Sequence, residues 1–290
     1  MSKSKVQVIG LTRWSYPFKA KGFRQSGGAI EDVRARLYAP NRLDHRLFLL
    51  EHVLLPGLRD QSDPNFTHLM LIGDKLPQPW LDRILELVRD IPQIVPLVRP
   101  EGEKHQDLCR EIMLEHIDSN CDAIVQHRLD DDDGIGTKFV ERTRRLFNDL
   151  SNIYEESGSL ALDFSKGFVL RSNADGIRME PVSMRFWAPG MAIVTRPDTN
   201  RTLLDYNHLK VWHGMPTFMW PEEPMFIRGA HHDNDSHLAT FGRRTRGFKF
   251  NQKNPARYFR MQFGIKIADI ERIWDQEKDH FLADKVASKV

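Results

Sequence analysis

Apolar residues along the first half of the chain switch repeatedly between two spacings. Residues 6–11 (VQVIGL) are a short β-branched run that reads as a buried strand. After a polar, glycine-containing stretch, Leu43, Leu47, Leu50, Leu54 and Leu58 recur at helical spacing over residues 42–59 and make one apolar stripe. A second strand is expected at 68–72 (HLMLI), then a helix at 80–90 through Leu81, Ile84, Leu85 and Val88, stopped by Pro92. Residues 93–98 (QIVPLV) predict a third strand, whose Pro96 fits best at a sheet edge because it has no N–H to give to a neighbouring strand. A helix at 104–118, through Leu108, Ile112 and His116, leads to a fourth strand at 122–127 (DAIVQH).

Such alternation predicts a mostly parallel sheet with helices on both faces, an α/β class in which ligands bind beyond the carboxyl ends of the strands. A further helix is expected at 137–150, with Phe139, Thr143, Phe147 and Leu150 inward. From Leu160 the pattern changes to short strands, ALDFSKGFVLR and FWAPGMAIVTR, with a turn at NADG between them. An aromatic, proline-rich stretch (VWHGMPTFMWPEEPMF), the polar IRGAHHDNDSH, a basic segment at 242–253 and a C-terminal helix with Ile267, Ile270, Ile273, Trp274 and Phe281 complete the chain. No internal repeat or low-complexity linker is visible. One continuous domain over residues 1–290 is the simplest organisation, with a first half at 1–150, a second at 151–245 and a C-terminal segment at 246–290.

Composition narrows the class. A chain of 290 residues, 40% hydrophobic and 28% charged, can bury a substantial core. Its formal charge of +2 gives no reason to expect nucleic acid as a partner. Cys109 and Cys121 make neither a disulfide framework nor a ligand cluster, which suits a reducing compartment. The apolar run near the N-terminus is too short for a secretory signal, and no segment approaches the roughly 20 apolar residues of a membrane span. A cytoplasmic location is therefore expected, with peripheral membrane contact left open. The basic segment at 242–253 could attract an anionic surface or a lipid-linked acceptor, at about 1 kcal/mol per basic residue, and a solvated loop explains it at least as well.

The stretch RLDDDDGI, residues 128–135, concentrates four carboxylates directly after the fourth strand. Carboxylates this close need a cation, a shared proton or open water. Hard oxygen ligands favour Mg, Mn or Ca over zinc. An EF-hand loop fails on spacing: with Gly134 in the sixth position the first and twelfth ligands fall on Leu129 and Val140, and with Gly136 there the fifth and twelfth fall on Ile135 and Arg142. The positive end of the following helix stabilises a charge by about 0.3 to 1 kcal/mol within its first turn, enough to account for one or two aspartates. At a strand's carboxyl end, an Asp-x-Asp pair can hold a divalent ion that bridges a diphosphate.

HRLDDDD resembles the Asp-x-Asp motif of GT-A glycosyltransferases, and LPGLRDQSDPNFTHLMLIGD, residues 55–74, resembles the family-2 pattern of helix, turn, strand and aspartate. More closely, VIGLTRWSYP, YAPNRLDHRLFLLEHVLLPGLRDQSDPNF, HRLDDDD, DFSKGFV and MFIRG with NDS are similar to the bacterial family described as putative rhamnosyltransferases, over residues 6–236. The resemblance implies a GT-A fold, a Rossmann-like mostly parallel sheet with helices on both faces. It also implies a nucleoside diphosphate sugar donor, with dTDP-rhamnose as one candidate, a Mg or Mn ion, and a glycan or lipid-linked acceptor.

Residue by residue, it implies that Asp132 is a metal ligand and Asp130 lies nearer the ribose or diphosphate, with Asp131 and Asp133 as the alternative register. It further implies that Asp74 contacts the nucleoside base and Arg13 lies near the nucleotide. The Arg13-Trp14 pair replaces the small polar residues usual there. His231 or His232 could complete the metal shell, and Arg228 suits a phosphate through its planar fork. An acceptor base is sought among Glu222, Glu223 and Asp163. Trp187 is expected in the core, while Trp212 and Trp220 are divided between core and sugar stacking. Two other classes fit the same features: a non-catalytic nucleotide-sugar or glycan-binding protein on this fold, and a metal-dependent phosphoryl or nucleotidyl transferase. The absence of a phosphate-cradling glycine loop argues against the last.

Overall fold

The computed structural model describes residues 4–19, 28–234 and 246–283. In the first half β1 (Val6–Arg13), β2 (Thr67–Gly73), β3 (Ile94–Arg99) and β4 (Ala123–Asp130) alternate with helices, as the apolar spacing predicts. The helices are α1 (Ile30–Leu37), α2 (Pro40–Leu49), α3 (Leu55–Arg59), α4 (Gln78–Val88) and α5 (His105–Glu115). A π-helical turn, Leu50–Leu54, joins α2 to α3 without a break. Such a wide turn lets the helix run past Pro56, which cannot donate to the preceding turn. Helix α1 falls in the stretch read from sequence as a polar loop. Only Val33 and Leu37 of its eight residues are buried, so its apolar signal is weak.

The second half contributes β5 (Gly134–Ile135), α6 (Phe139–Asp149), α7 (Ser151–Ser157), β6 (Ser159–Phe164), β7 (Lys166–Asn173), β8 (Gly176–Ser183), β9 (Met191–Thr195), β10 (Thr217–Trp220), β11 (Phe226–Ala230), α8 (Pro255–Phe263) and α9 (Ile267–Phe281). Strand β8 was not anticipated: its residues are mostly half-buried, so its alternation of apolar and polar positions is blurred.

A seven-stranded sheet runs in the order β10-β6-β9-β4-β1-β2-β3. It is parallel except at β9, which pairs antiparallel with both β4 and β6. Pro96 lies on β3, the outermost strand, as expected. A second sheet, β5-β11-β7-β8, packs beside it. Period-two alternation sends Val6 and Val8 of β1 to one face, where they join Leu43, Leu50 and Leu54 of the long helix. Ile9 and Leu11 go to the other face, against Leu108, Ile112 and Met113 of α5. Fully burying such a side chain contributes about 1.5 to 3 kcal/mol relative to exposure. A third cluster joins the second sheet to α2, α8 and α9 through Phe48, Phe168, Phe263 and Trp274.

Two histidines sit inside this apolar setting. His68 on β2 and His127 on β4 both align with Gly10 of the strand between them, and a side chain on Gly10 would run into both rings. His68 bonds Thr12 Oγ1 at 2.8 Å, while His68 Nδ1 and both His127 nitrogens lack hydrogen-bond partners among the described residues. Burial pushes His127 down to about 4, and burial with the neighbouring ring pushes His68 well below its ordinary value. The unfolded chain binds these protons below about pH 6.5, whereas the folded chain refuses them, so stability is fully present above that pH and falls as pH drops toward 4. His127 alone should account for roughly 3 kcal/mol across that window. Urea titrations from pH 7.5 to 4.5 should show this slope, and His127→Gln should flatten it measurably. A slope unchanged by that substitution would sink the assignment.

Candidate active site

Strand β4 runs to Asp130, so Arg128 and Asp130 belong to the strand and not to the loop after it. Alternation turns His127 and Leu129 toward the core, and Gln126, Arg128 and Asp130 toward the opposite face. In the parallel register Leu11 lies beside Arg128 and Arg13 beside Asp130. A cavity of about 320 Å³ opens at these carboxyl ends, within the size range of small-ligand sites. Its apolar wall comes from Tyr16, Phe18, Val33, Leu37, Trp187 and Pro189, and its polar lining includes five arginines.

The aspartate run makes a turn that carries the chain from the large sheet into β5 of the small one. Strand β5 pairs antiparallel with β11, Ile227 opposite Gly134, which brings Arg228 to the turn. Each aspartate then meets different partners. Asp130 accepts from Arg228 at 2.8 Å and from Arg13 at 3.3 Å. Asp131 accepts from the Ser15 N–H at 3.0 Å and from Arg46 at 2.6 Å. Asp132 accepts from His231 Nε2 at 2.9 Å and Asn234 Nδ2 at 2.7 Å, with Arg46 at 3.4 Å. Asp133 accepts from Arg228 at 3.0 Å, the Gly229 N–H at 3.2 Å and the Asp130 N–H at 3.1 Å. Asp130, Asp131 and Asp132 line the cavity; Asp133 does not.

These surroundings separate four identical side chains. Burial opposes the charge on Asp132, but Arg46 and the His231 hydrogen bond outweigh it and hold the carboxyl well below its ordinary range. Asp130 is likewise held low, burial being overcome by Arg228, Arg13 and Arg128. Burial wins at Asp133 and pushes its carboxyl up, helped by the neighbouring Asp132 and Asp130 charges. Gly229 permits the close packing, since a Cβ there would lie 2.6 Å from the Asp132 carboxyl. Ligand oxygens of Asp130, Asp132 and Asp133 lie within 4.8 Å of one another, and an all-oxygen set of this kind fits a hard divalent ion.

The other sequence candidates divide. His231 reaches Asp132 and accepts at Nδ1 from the Asp233 N–H at 3.2 Å, so its Nε2 carries the proton. His232 is not among the cavity-lining residues, and its ring stacks on His45 at 5.9 Å. Arg13 and Arg228 line the cavity. Asp74, at the end of β2, does not; it accepts from the Glu101 N–H at 3.2 Å and so holds the loop after β3.

None of Glu222, Glu223 and Asp163 lines the cavity. Glu223 pairs with Arg142 at 2.6 Å, and that guanidinium lies 5.1 Å from the Trp220 ring centroid. Asp163 is buried on β6 and accepts from the Phe186 N–H at 3.0 Å; burial pushes its carboxyl up to about 7. Trp187 packs edge-on against Phe226 in the core and also walls the cavity, whereas Trp212 is 56% exposed. Asp235 and residues 242–245 of the basic segment lie outside the described residues.

Sequence reasoning missed Ser15, Arg42, Arg46, Arg128, His208 and Asn234, all of which line the cavity. One signal was available: Arg42, His45 and Arg46 lie three and four apart on α2 and are all buried, an unusual set for the inner face of an amphipathic helix.

A sheet ordered β3-β2-β1-β4, extended through an antiparallel β9 and bearing a cavity at its carboxyl edge, is a Rossmann-like α/β arrangement, in which ligands bind beyond the carboxyl ends of the strands. The chain belongs to the family described as "Putative rhamnosyl transferase", whose model matches residues 7–243. No curated protein matches its sequence.

Among solved structures it is similar to S. aureus TarS 1-349 in complex with UDP, at 13% identity over 78% of this chain and 60% of that one, with a TM-score of 0.40. The same protein in complex with UDP-GlcNAc matches at 12% identity, 89% and 64% coverage and a TM-score of 0.38. A Bacillus anthracis protein titled a putative glucose-1-phosphate thymidylyltransferase matches at 10% identity, 76% and 88% coverage and a TM-score of 0.38. This chain therefore spans about 60% of the first TarS chain it matches. No helix among the described residues is long and apolar enough to cross a membrane.

Proposed function

We propose that the chain transfers a sugar, rhamnose being the candidate its family points to, from a nucleoside diphosphate donor to a hydroxyl of a glycan or lipid-linked acceptor. The observation that carries this reading is the cavity at the ends of β1 and β4, where Asp130 and Asp132 stand among five arginines. The pair Asp130 and Asp132 would hold a Mg or Mn ion. The alternative pair, Asp131 and Asp133, has only one member facing the cavity. When bound, the ion supplies Lewis-acid neutralisation of the leaving diphosphate.

In the transfer the bond from the anomeric carbon to the diphosphate oxygen breaks, a bond to the acceptor oxygen forms, and the acceptor proton passes to a base. Arg13 and Arg228 add fixed positive charge where the diphosphate gains negative charge. The walls of Tyr16, Phe18, Val33 and Leu37 offer an apolar surface for the nucleoside base. Asp74 would meet the base only from outside that wall. A cytoplasmic site, with peripheral contact at a membrane face through the basic segment, is part of the same proposal.

Melting curves with UDP, GDP and dTDP, each with and without Mn, test the reading. One nucleotide at about 100 times its dissociation constant should stabilise the fold by roughly 2.7 kcal/mol, a rise of about 5 to 10 °C, and Mn should increase the effect. No shift with any nucleotide, or shifts indifferent to Mn, would count against it. A second reading, a non-catalytic nucleotide-sugar binder, draws support from one observation: Glu222, Glu223 and Asp163 all lie outside the cavity lining. Donor hydrolysis or transfer by the purified chain would dismiss it.

A further inference from the structure

Five arginines line the cavity, and four of them are engaged. Arg13 meets Asp130 at 3.3 Å, and its guanidinium lies 5.1 Å from the Phe18 ring centroid. Arg42 meets Asp233 at 2.5 Å and donates to Ser15 Oγ and the Leu37 carbonyl. Arg46 meets Asp131 at 2.6 Å, and Arg228 meets Asp130 at 2.8 Å and Asp133 at 3.0 Å. Arg128 makes no ion pair or hydrogen bond among the described residues.

Nothing in its position lets Arg128 escape to water along a flexible loop. It sits in mid-sheet on β4, beside Leu11 of β1 in the parallel register, and its side chain projects from the same face as Asp130. Burial works against its charged form; Asp130 and Asp133 attract it without forming an ion pair, the Arg13 and Arg228 charges oppose it, and the balance still disfavours the charge, yet a guanidinium stays protonated at any ordinary pH. A half-buried charge of this kind is costly unless an anion meets it. The lining as a whole repeats the imbalance: Arg13, Arg42, Arg46, Arg128 and Arg228 face Asp130, Asp131, Asp132 and Asp233, five positive charges against four negative. His208 does not alter the count, because burial and the Arg128 and Arg228 charges push it down to about 4 and leave it neutral.

We infer that Arg128 is the anchor for a diphosphate in this cavity, gripping it through its planar fork without needing a divalent ion between them. The contact rests on the proposed donor reading and names the residue on which the donor's charged group lands. A phosphate offers two oxygens at the spacing of the guanidinium donors, and Arg128 has all its donors uncommitted. The four paired arginines hold the aspartate turn and Ser15 in place around it.

Calorimetric titration of the whole chain in EDTA, with inorganic pyrophosphate, dTDP, UDP and the corresponding nucleosides, tests this. Wild-type protein should bind pyrophosphate and at least one nucleoside diphosphate. Arg128→Gln should weaken both at least tenfold, Arg128→Lys should recover part of the loss, and nucleoside binding should not change. The melting temperature of ligand-free Arg128→Gln should equal or exceed that of wild type, since an unpaired charge is removed. A structural arginine would lower it, and that result would overturn the inference. Affinities for pyrophosphate and nucleotide within twofold of wild type would overturn it as well, as would binding that appears only with Mn. Arg128-dependent pyrophosphate binding with no affinity for any nucleoside diphosphate would uphold the anchor and sink the glycosyl-donor reading.

Discussion

Asp132→Asn is expected to lower kcat/KM for sugar transfer by about 10² to 10³-fold, the cost typical of removing one pre-oriented charge from an active site, while the protein remains folded. The substitution keeps the shape of the side chain and removes its charge. It also sets an amide against His231 Nε2 and Asn234 Nδ2, which both donate to the Asp132 carboxylate. Both reach the same oxygen, Oδ2, so the amide oxygen can keep both bonds; what is lost is the charge on the acceptor, about 1 kcal/mol of stability, and Arg46 keeps Asp131 and Asp233. Asp133→Asn should be far milder on rate, because that carboxyl is pushed toward its neutral form by burial and does not face the cavity. Initial rates with a radiolabelled donor, alongside melting curves for both variants, measure the difference. Equal losses in the two variants, or less than a tenfold loss in Asp132→Asn, would reject Asp130 and Asp132 as the working pair.

Arg46→Met should produce the largest loss of stability of any single substitution around the cavity, about 3 to 5 kcal/mol, or on the order of 10 °C in melting temperature. Its guanidinium is only 6% exposed and serves three carboxylates: Asp131 at 2.6 Å, Asp132 at 3.4 Å and Asp233 at 3.5 Å. Burial disfavours the charge, but those three partners reverse the balance and raise its hold on the proton. Methionine fills much of the volume and leaves the buried carboxylates without their common counter-ion. Arg46→Lys should recover only part of the loss, since a single ammonium cannot span partners lying on different sides of a fork. A Met variant that melts within 2 °C of wild type, roughly 1 kcal/mol or less, would show that the aspartates are held by other means.

The two variants bear on one physical arrangement, an aspartate turn whose members differ only because of what folds against them. Asp131 and Asp132 share Arg46 from α2, while Asp130 and Asp133 share Arg228 from β11. Removing charge from the turn and removing charge from α2 should therefore be coupled. An Asp132→Asn, Arg46→Met double variant should lose less stability than the sum of the two singles.

Much of this fold is legible along the chain. Leucines at helical spacing between residues 43 and 58 define the long helix, and β-branched runs at 6–11 and 68–72 define neighbouring strands, because each signal lies within a dozen residues. Pro96 marks the sheet edge through its missing N–H, a property that no neighbour can change. The position of the aspartate run at a strand's carboxyl end follows from the same local alternation. What blurs is any element whose burial is partial: α1 buries two residues and β8 is mostly half-buried, so neither writes a clear period.

The register of the aspartates could not be read that way. Four identical side chains in a row satisfy Asp-x-Asp twice, and local sequence contains nothing that ranks them. Only the tertiary structure decides, by antiparallel pairing of β5 with β11, which delivers Arg228 to Asp133, and by the packing of α2, which delivers Arg46 to Asp131 and Asp132. These partners come from 85 to 95 residues away in sequence, and the charge state of a buried carboxyl is a sum over such distant neighbours. The sequence by itself therefore determined that carboxylates gather at the end of β4; which of them face the ligand was decided by long-range pairing, because burial and ion pairing act through space and not along the chain.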